Sequence, residues 1–198
     1  MDARDLQLIR EMRRLGRRGR FTLTELGKKL GISHVAVGKR ISKLVSSGLL
    51  RFSPEVNIER QGYKVALVLV EVPGSDELER LEEVYLECPR VVYMVEAVGG
   101  YNLAVLMYAE TQGVLESILT TCSVRTRPEV RRSEVLVGRL VEEFAPIEPP
   151  AGGDRGEAPC GANCPSCRRY LEGRCPGCPA TSHYKFQNET IMVSDGYI

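Results

Sequence analysis

Residues 21–50 read FTLTELGKKLGISHVAVGKRISKLVSSGLL, and this stretch decides how the first part of the chain folds. Thr22 can cap a helix, Glu25 three residues on can return the bond, and Phe21 can close on Leu26, which is a capping box with a hydrophobic staple. Gly31 suits a left-handed helix stop, and Ser33 can cap a second helix that runs to Ser47 and ends at Gly48. Two helices, the first short, joined by three or four residues around a glycine make a helix-turn-helix. At the helical period Val37, Ile41 and Leu44 share a buried stripe. Val35, Lys39, Ser42 and Lys43 project from the opposite face, with Ala36 and Gly38 at its margins. A narrow face of small, polar and cationic side chains suits a helix that enters a major groove of double-stranded DNA. An ordinary amphipathic helix also carries solvated lysines; the neighbouring elements decide for DNA.

Upstream, residues 2–15 form a helix with Leu8, Met12 and Leu15 on one face. Arg10, Arg13, Arg14 and Arg17 recur on another, followed by Arg18 and Arg20, and phosphate contacts are the reading beside a helix-turn-helix. Residues 1–62 hold 14 Lys/Arg against 6 Asp/Glu, a net charge of +8, whereas residues 63–147 hold 8 against 14, a net of −6. The overall charge of +1 hides this asymmetry of a basic module joined to an acidic one. No apolar run is long enough to span a bilayer and no leader is recognisable, so a cytoplasmic protein is expected.

The segment LGISHVAVGKRISKLVSSGLL resembles the recognition helix of the Lrp/AsnC family of feast-or-famine transcription regulators. Leu30, Gly31, Ile32, Ser33, Val37, Lys39, Arg40, Ile41 and Leu44 match the family pattern. Gly38 departs from it, since the family usually has a small hydroxyl residue there. The resemblance makes Ser33, Val35, Gly38, Lys39, Arg40 and Lys43, with Arg13 and Arg14 upstream, the candidate DNA contacts. It also implies a dimer or higher homo-oligomer.

After Gly48, LLRFSPEVNIERQGY reads as two short strands around Ser53, Pro54 and Glu55, the wing of a winged helix-turn-helix. Residues 1–62 then make one domain. Residues 63–145 alternate strand, helix, strand, strand, helix and strand, with Ser75 as a helix cap and a last strand bent at Gly138. That order is the ferredoxin-like βαββαβ unit, so the fold class is α+β. Its uncovered sheet face wants a partner, and the resemblance implies that sheets pair there to make the dimer. Gly99, Gly100, Tyr101 and Asn102 match a family motif in the hairpin between the second and third strands of this unit. The resemblance implies binding of an amino-acid-like effector there; as sequence alone it is a tight turn.

Residues 146–156 are rich in Pro and Gly and read as a linker. Beyond them, residues 157–198 form a cysteine-rich tail in which Cys160, Cys164, Cys167, Cys175 and Cys178 include two Cys-Pro-x-Cys pairs. Two such turns can complete a tetrahedral thiolate site, which zinc favours. Cu(I), an iron–sulfur cluster and, least in keeping with a cytoplasmic protein, disulfides remain open at this point. Cys160 or His183 can then stand behind the ligands. The tail's large apolar residues, chiefly Tyr170, Leu171, Tyr184 and Phe186, bury too little at about 25 cal/mol per Å² to order some thirty residues, so metal is expected to hold it. Cys88 and Cys122 lie singly on apolar helix faces and read as core. No P-loop, dinucleotide fingerprint or nucleophile elbow is present. Some proteins resembling this family decarboxylate sirohaem on the same two domains, which is the competing, enzymatic expectation.

Overall fold

Capping chemistry sets the first three helices. The computed structural model describes residues 1–16 and 19–185, so Arg17, Arg18 and Phe186 lie outside the described residues. Helix α1 (Ala3–Gly16) opens on a reciprocal pair: the Asp5 N–H donates to Asp2 Oδ1 at 2.8 Å and the Asp2 N–H donates to Asp5 Oδ2 at 2.9 Å. Helix α2 (Leu23–Leu30) starts with the Glu25 N–H donating to Thr22 Oγ1, and α3 (His34–Ser46) with the Ala36 N–H donating to Ser33 Oγ. Leu8, Met12 and Leu15 of α1 close a core with Leu26 of α2 and Val37 and Leu44 of α3, and Phe21 and Ile41 pack against it.

The turn between α2 and α3 is tight because two N–H groups converge on one carbonyl. Gly31, left-handed at φ 65°, and Ile32 both donate to Gly27 O. A Cβ on Gly27 would stand 2.6 Å from Ile32 O, so the chain closes here only over a glycine.

The expected wing is absent from the described residues. Residues 49–55 are in no strand, and Val56–Asn57 (β1) pairs antiparallel with Phe144–Ala145 (β6) near the end of the next domain. Ile58, fully buried, explains why: it packs with Val65, Tyr108, Ala145 and Ile147. By its contacts the chain divides after Ser53 rather than near residue 62.

The second unit carries β2 (Lys64–Glu71), α4 (Ser75–Leu86), β3 (Val91–Glu96), β4 (Leu103–Ala109), α5 (Gln112–Thr121) and β5 (Arg132–Gly138). The sheet order β3-β4-β2-β5, all antiparallel, is the ferredoxin-like arrangement. The last strand stops at Gly138. Gly74, not Ser75, occupies the cap position of α4, and Ser75 Oγ bonds to Asp76 instead. Ala66, Val68 and Val70 of β2 and Val105 and Met107 of β4 meet Leu81, Tyr85, Leu115 and Ile118 of the two helices in one core.

Strand alternation leaves the other sheet face apolar and open. Register places Tyr93, Leu106, Leu67 and Leu136 in one row across all four strands, with Val95, Ala104 and Leu69 in the next. Tyr93 and Val95 are 52% and 57% exposed.

Residues 146–156 do not behave as a free linker. Ile147 and Pro150 are buried, and the Tyr108 hydroxyl donates to Glu148 O at 2.8 Å. Arg155 bridges Thr181 in parallel fashion and donates to Glu87 at 2.8 Å. The tail therefore packs onto the ferredoxin-like domain. Within it, Asn163 caps a single turn at Cys164–Ser166, and a one-turn helix α6 (Arg168–Leu171) follows.

Candidate functional site

On α3 the stripe chosen by sequence is the stripe that is buried, which leaves the opposite face to solvent. Val35 is 53% exposed, and Lys39, Ser42 and Lys43 are exposed beside it. His34 and Ser46 also face out, a consequence of helix period that the residue types alone did not signal. Ser33 is exposed, but its hydroxyl oxygen already serves as the helix cap. Neither Lys39 nor Lys43 takes part in an ion pair among the described residues. Arg13 and Arg14 are exposed on α1, with Arg14 held at 3.0 Å by Glu11.

Arg40 is placed differently from the other candidates. Its Nη1 reaches Asp2 Oδ2 at 2.8 Å and Asp5 Oδ1 at 2.6 Å, clamping α3 to the start of α1. The hydrogen bond from Arg40 holds the Asp2 carboxyl down to about 2, and Asp5 is lowered first by the Asp2 backbone and then by Arg40. A depressed carboxylate contributes stability that is complete above the unfolded range and vanishes as pH falls through the folded value. Between pH 4 and pH 2 the helical unit should therefore lose urea resistance, and an Arg40→Met protein should show a flatter dependence over that window.

Gly38 has no positive φ, and a Cβ there would meet Leu23 Cδ1 at an ordinary 3.6 Å. Gly38→Ala should raise the stability of this unit by about 1 kcal/mol in urea unfolding, since it removes only a helix-weakening residue.

The loop at residues 99–102 is strapped down. Asn102 uses its amide on backbone alone: Oδ1 accepts from the Val72 N–H and Nδ2 donates to Val72 O, both at 2.8 Å. Arg132 lies over the Tyr101 ring, 4.6 Å from its centroid, and donates to Gly100 O. Asn102 thus fixes the hairpin, while Gly99 and Gly100 stay exposed.

Where the tail meets the second domain lies a buried ion pair. Arg90, 3% exposed, holds Glu110 through two bonds, Nη1 to Oε2 at 2.7 Å and Nη2 to Oε1 at 3.0 Å. The tail completes it: Arg90 Nη2 also donates to Gly177 O, and the Tyr184 hydroxyl donates to Glu110 Oε1 at 2.6 Å. Burial pushes the Glu110 carboxyl up, but Arg90 outweighs it and holds the group below the usual range. Ser117 of α5 donates to Arg174 O, and Arg127 donates to Cys160 O.

Beside this contact a cavity of about 320 Å³ is lined by all seven cysteines of the chain. Cys160, Cys164, Cys167, Cys175 and Cys178 come from the tail, and Cys88 and Cys122 from the ends of α4 and α5. None is in a disulfide. His183 does not line the cavity; its carbonyl accepts from the Tyr170 hydroxyl. Burial pushes the Cys88 thiol up to about 12 and the Cys178 thiol up to about 11, and raises Cys122, Cys164 and Cys175 as well. Such thiols stay protonated near neutrality unless a cation is bound. Among the described residues no three His, Cys, Asp or Glu side chains stand close enough to grip a single ion. Cys88 and Cys122 do border the core as expected, but they also face the tail. Each is solitary in sequence, so no local spacing could have signalled it.

No family model matches the chain. Among described residues no helix is long and apolar enough to cross a membrane. The chain is 31% identical over 104 residues to an uncharacterised HTH-type transcriptional regulator of Pyrococcus furiosus, covering 52% of this chain and 68% of that protein. It is also 31% identical over 138 residues to the HTH-type transcriptional regulator LrpA of Mycobacterium tuberculosis, covering 66% of this chain and 89% of LrpA. The structure of Escherichia coli AsnC superimposes with a TM-score of 0.59 at 17% identity, over 72% of this chain and 94% of AsnC. These relatives are named as regulators and not as enzymes. With a helix-turn-helix followed by a ferredoxin-like domain and this level of identity along most of LrpA, the chain belongs to the Lrp/AsnC family of DNA-binding transcriptional regulators.

Proposed function

We propose that the exposed face of α3, from Val35 through Lys39 to Lys43, reads operator bases in the major groove, with Arg13 and Arg14 against phosphates. The observation that carries this reading is the pair of lysines, exposed and without ion-pair partners among the described residues, on a helix whose other face is fully spent on core. Arg40 acts behind that face by holding α3 to α1. Two copies pair through the open sheet face, whose row of Tyr93, Leu106, Leu67 and Leu136 offers a continuous apolar surface.

A similarly folded regulator of Neisseria meningitidis, 14% identical with a TM-score of 0.60, is a complex with L-Met. That supports an amino-acid-like effector for this chain, with the backbone of Gly99 and Gly100 and the Tyr101 ring as contacts and Asn102 as the residue that shapes the loop. The five tail cysteines bind a thiophilic metal, and zinc, Cu(I) and an iron–sulfur cluster are the chemistries that soft thiolate donors take. The paired Cys-Pro-x-Cys turns, all opening on one cavity, support this. The regulators among its relatives speak against the sirohaem reading.

Operator selection from random DNA, followed by binding at several salt concentrations, tests the assignment. Lys39→Ala should weaken specific binding by about 1–3 kcal/mol if it reads a guanine. Arg14→Ala should instead lower affinity for all sequences and flatten the salt dependence. Unaltered operator binding by the Lys39→Ala protein would place the reading face elsewhere.

A further inference from the structure

We infer that the cysteine cavity takes a polynuclear, thiolate-ligated metal group, and that Cys88 and Cys122 of the ferredoxin-like domain bind it together with cysteines of the tail. The inference rests on the metal-binding reading of the tail and goes beyond it in nuclearity and in the origin of the ligands.

Donor number is the first ground. A closed zinc site takes four ligands, with sulfurs about 2.3 Å from one ion. Here seven cysteines line one space, and two of them come from a separate part of the fold. Spacing is the second. No three of these side chains converge on a single point, while the space they enclose is about 320 Å³. Donors spread around a wall of that size suit a group several atoms across, in which no single metal atom has to gather three of the protein's thiolates: one per iron in an iron–sulfur cluster, two per ion where bridging thiolates hold two-coordinate Cu(I). An iron–sulfur cluster and a Cu(I)–thiolate cluster share this requirement for soft sulfur donors.

Charge is the third ground. Thiolates around a metal cluster leave it anionic, and Arg169, in no ion pair among the described residues, lines the cavity, whereas Arg90 is already held by Glu110 and Arg168 by Glu172. The fourth is that the wall is held shut by bonds across the joint and not by the cysteines alone. Arg90 reaches Gly177 O, Ser117 reaches Arg174 O, and Arg127 reaches Cys160 O. These bonds keep the tail's thiols opposite those of Cys88 and Cys122, which is the support that ligands need from their surroundings.

The test uses the full chain, purified anaerobically without added metal, with metal and acid-labile sulfide measured per chain. Two or more metal ions per chain and a metal–metal shell in the X-ray absorption spectrum are expected. Iron with matching sulfide identifies an iron–sulfur cluster; copper without sulfide identifies a Cu(I)–thiolate cluster; either supports the inference. A Cys88→Ser/Cys122→Ser protein should lose half or more of the bound metal. Cys88→Ala/Cys122→Ala, which keeps the sites apolar, should lose as much while retaining its circular dichroism spectrum. One metal ion per chain, with no metal–metal shell and no change in either double variant, would overturn the shared cluster and leave a mononuclear tail site standing. A wild-type chain free of metal would overturn both readings. The absorption spectrum and stoichiometry of the wild type decide even if both variants fail to fold.

Discussion

Glu110→Ala should destabilise the second unit by about 3–5 kcal/mol, the cost of stranding one partner of a buried ion pair. Arg90 is almost entirely buried, and Glu110 supplies both of its carboxylate contacts. With Glu110 gone, the guanidinium keeps, among the described residues, only the Gly177 carbonyl at 3.2 Å. The Tyr184 hydroxyl loses its acceptor at the same time. The tail should loosen along with the domain, so residues 155–185 should become sensitive to protease at denaturant concentrations the wild type withstands. An Arg90→Met/Glu110→Leu protein separates charge from shape: replacing both members with apolar residues should cost far less, because nothing is left unpaired. Urea unfolding monitored by circular dichroism measures both. A loss below about 1 kcal/mol for Glu110→Ala would mean that water reaches Arg90.

Gly27→Ala should cost the helix-turn-helix about 2–3 kcal/mol, a clash of overpacking against backbone. Helix propensity by itself argues the other way, since alanine improves a helix interior by about 1 kcal/mol. The turn decides the sign. An added Cβ would lie 2.6 Å from Ile32 O and 3.3 Å from His34 N, and neither is the end of a flexible side chain. Ile32 cannot swing away cheaply, because its N–H and that of Gly31 both end on the Gly27 carbonyl. The loss should appear as a lower urea midpoint for the helical unit and as loss of operator binding at temperatures where the wild type binds. Gly38→Ala is the matched control, with the opposite sign expected. Equal stability of the Gly27→Ala and wild-type proteins would show that α3 can pivot away from α2.

What could be read in the residues was what local chemistry enforces. Thr22, Gly31 and Ser33 act within a few residues of themselves, so the helix-turn-helix was legible down to its caps. The βαββαβ order was legible because strand and helix periods differ. Residues 49–63 were misread as a wing because Ile58 finds its partners, Ala145 and Ile147, nearly ninety positions later. Arg40 matched a recognition pattern, yet Asp2 and Asp5, more than thirty positions away, claim its guanidinium. The tail's cysteine turns were plain, but nothing in their spacing named Cys88 and Cys122. Pro and Gly between residues 146 and 156 suggested freedom, whereas a buried Ile147 and the Arg155 contacts tie that segment down.

The order in which the chain leaves the ribosome gives the joint between tail and domain a further meaning. Domains fold as units during synthesis, N-terminal parts first. The sheet and both its helices are complete before residues 155–185 emerge. Until then Arg90 lacks its bond to Gly177 O, Glu110 lacks the Tyr184 hydroxyl, and Cys88 and Cys122 lack the tail's side of the cavity. The arriving segment closes through the bridge between Arg155 and Thr181, which encloses all five of its own cysteines in one loop. Completion of the ion pair's contacts and closure of the cysteine cavity therefore fall in one late step of folding. A chain truncated ahead of residue 155 would keep its fold but leave that step undone.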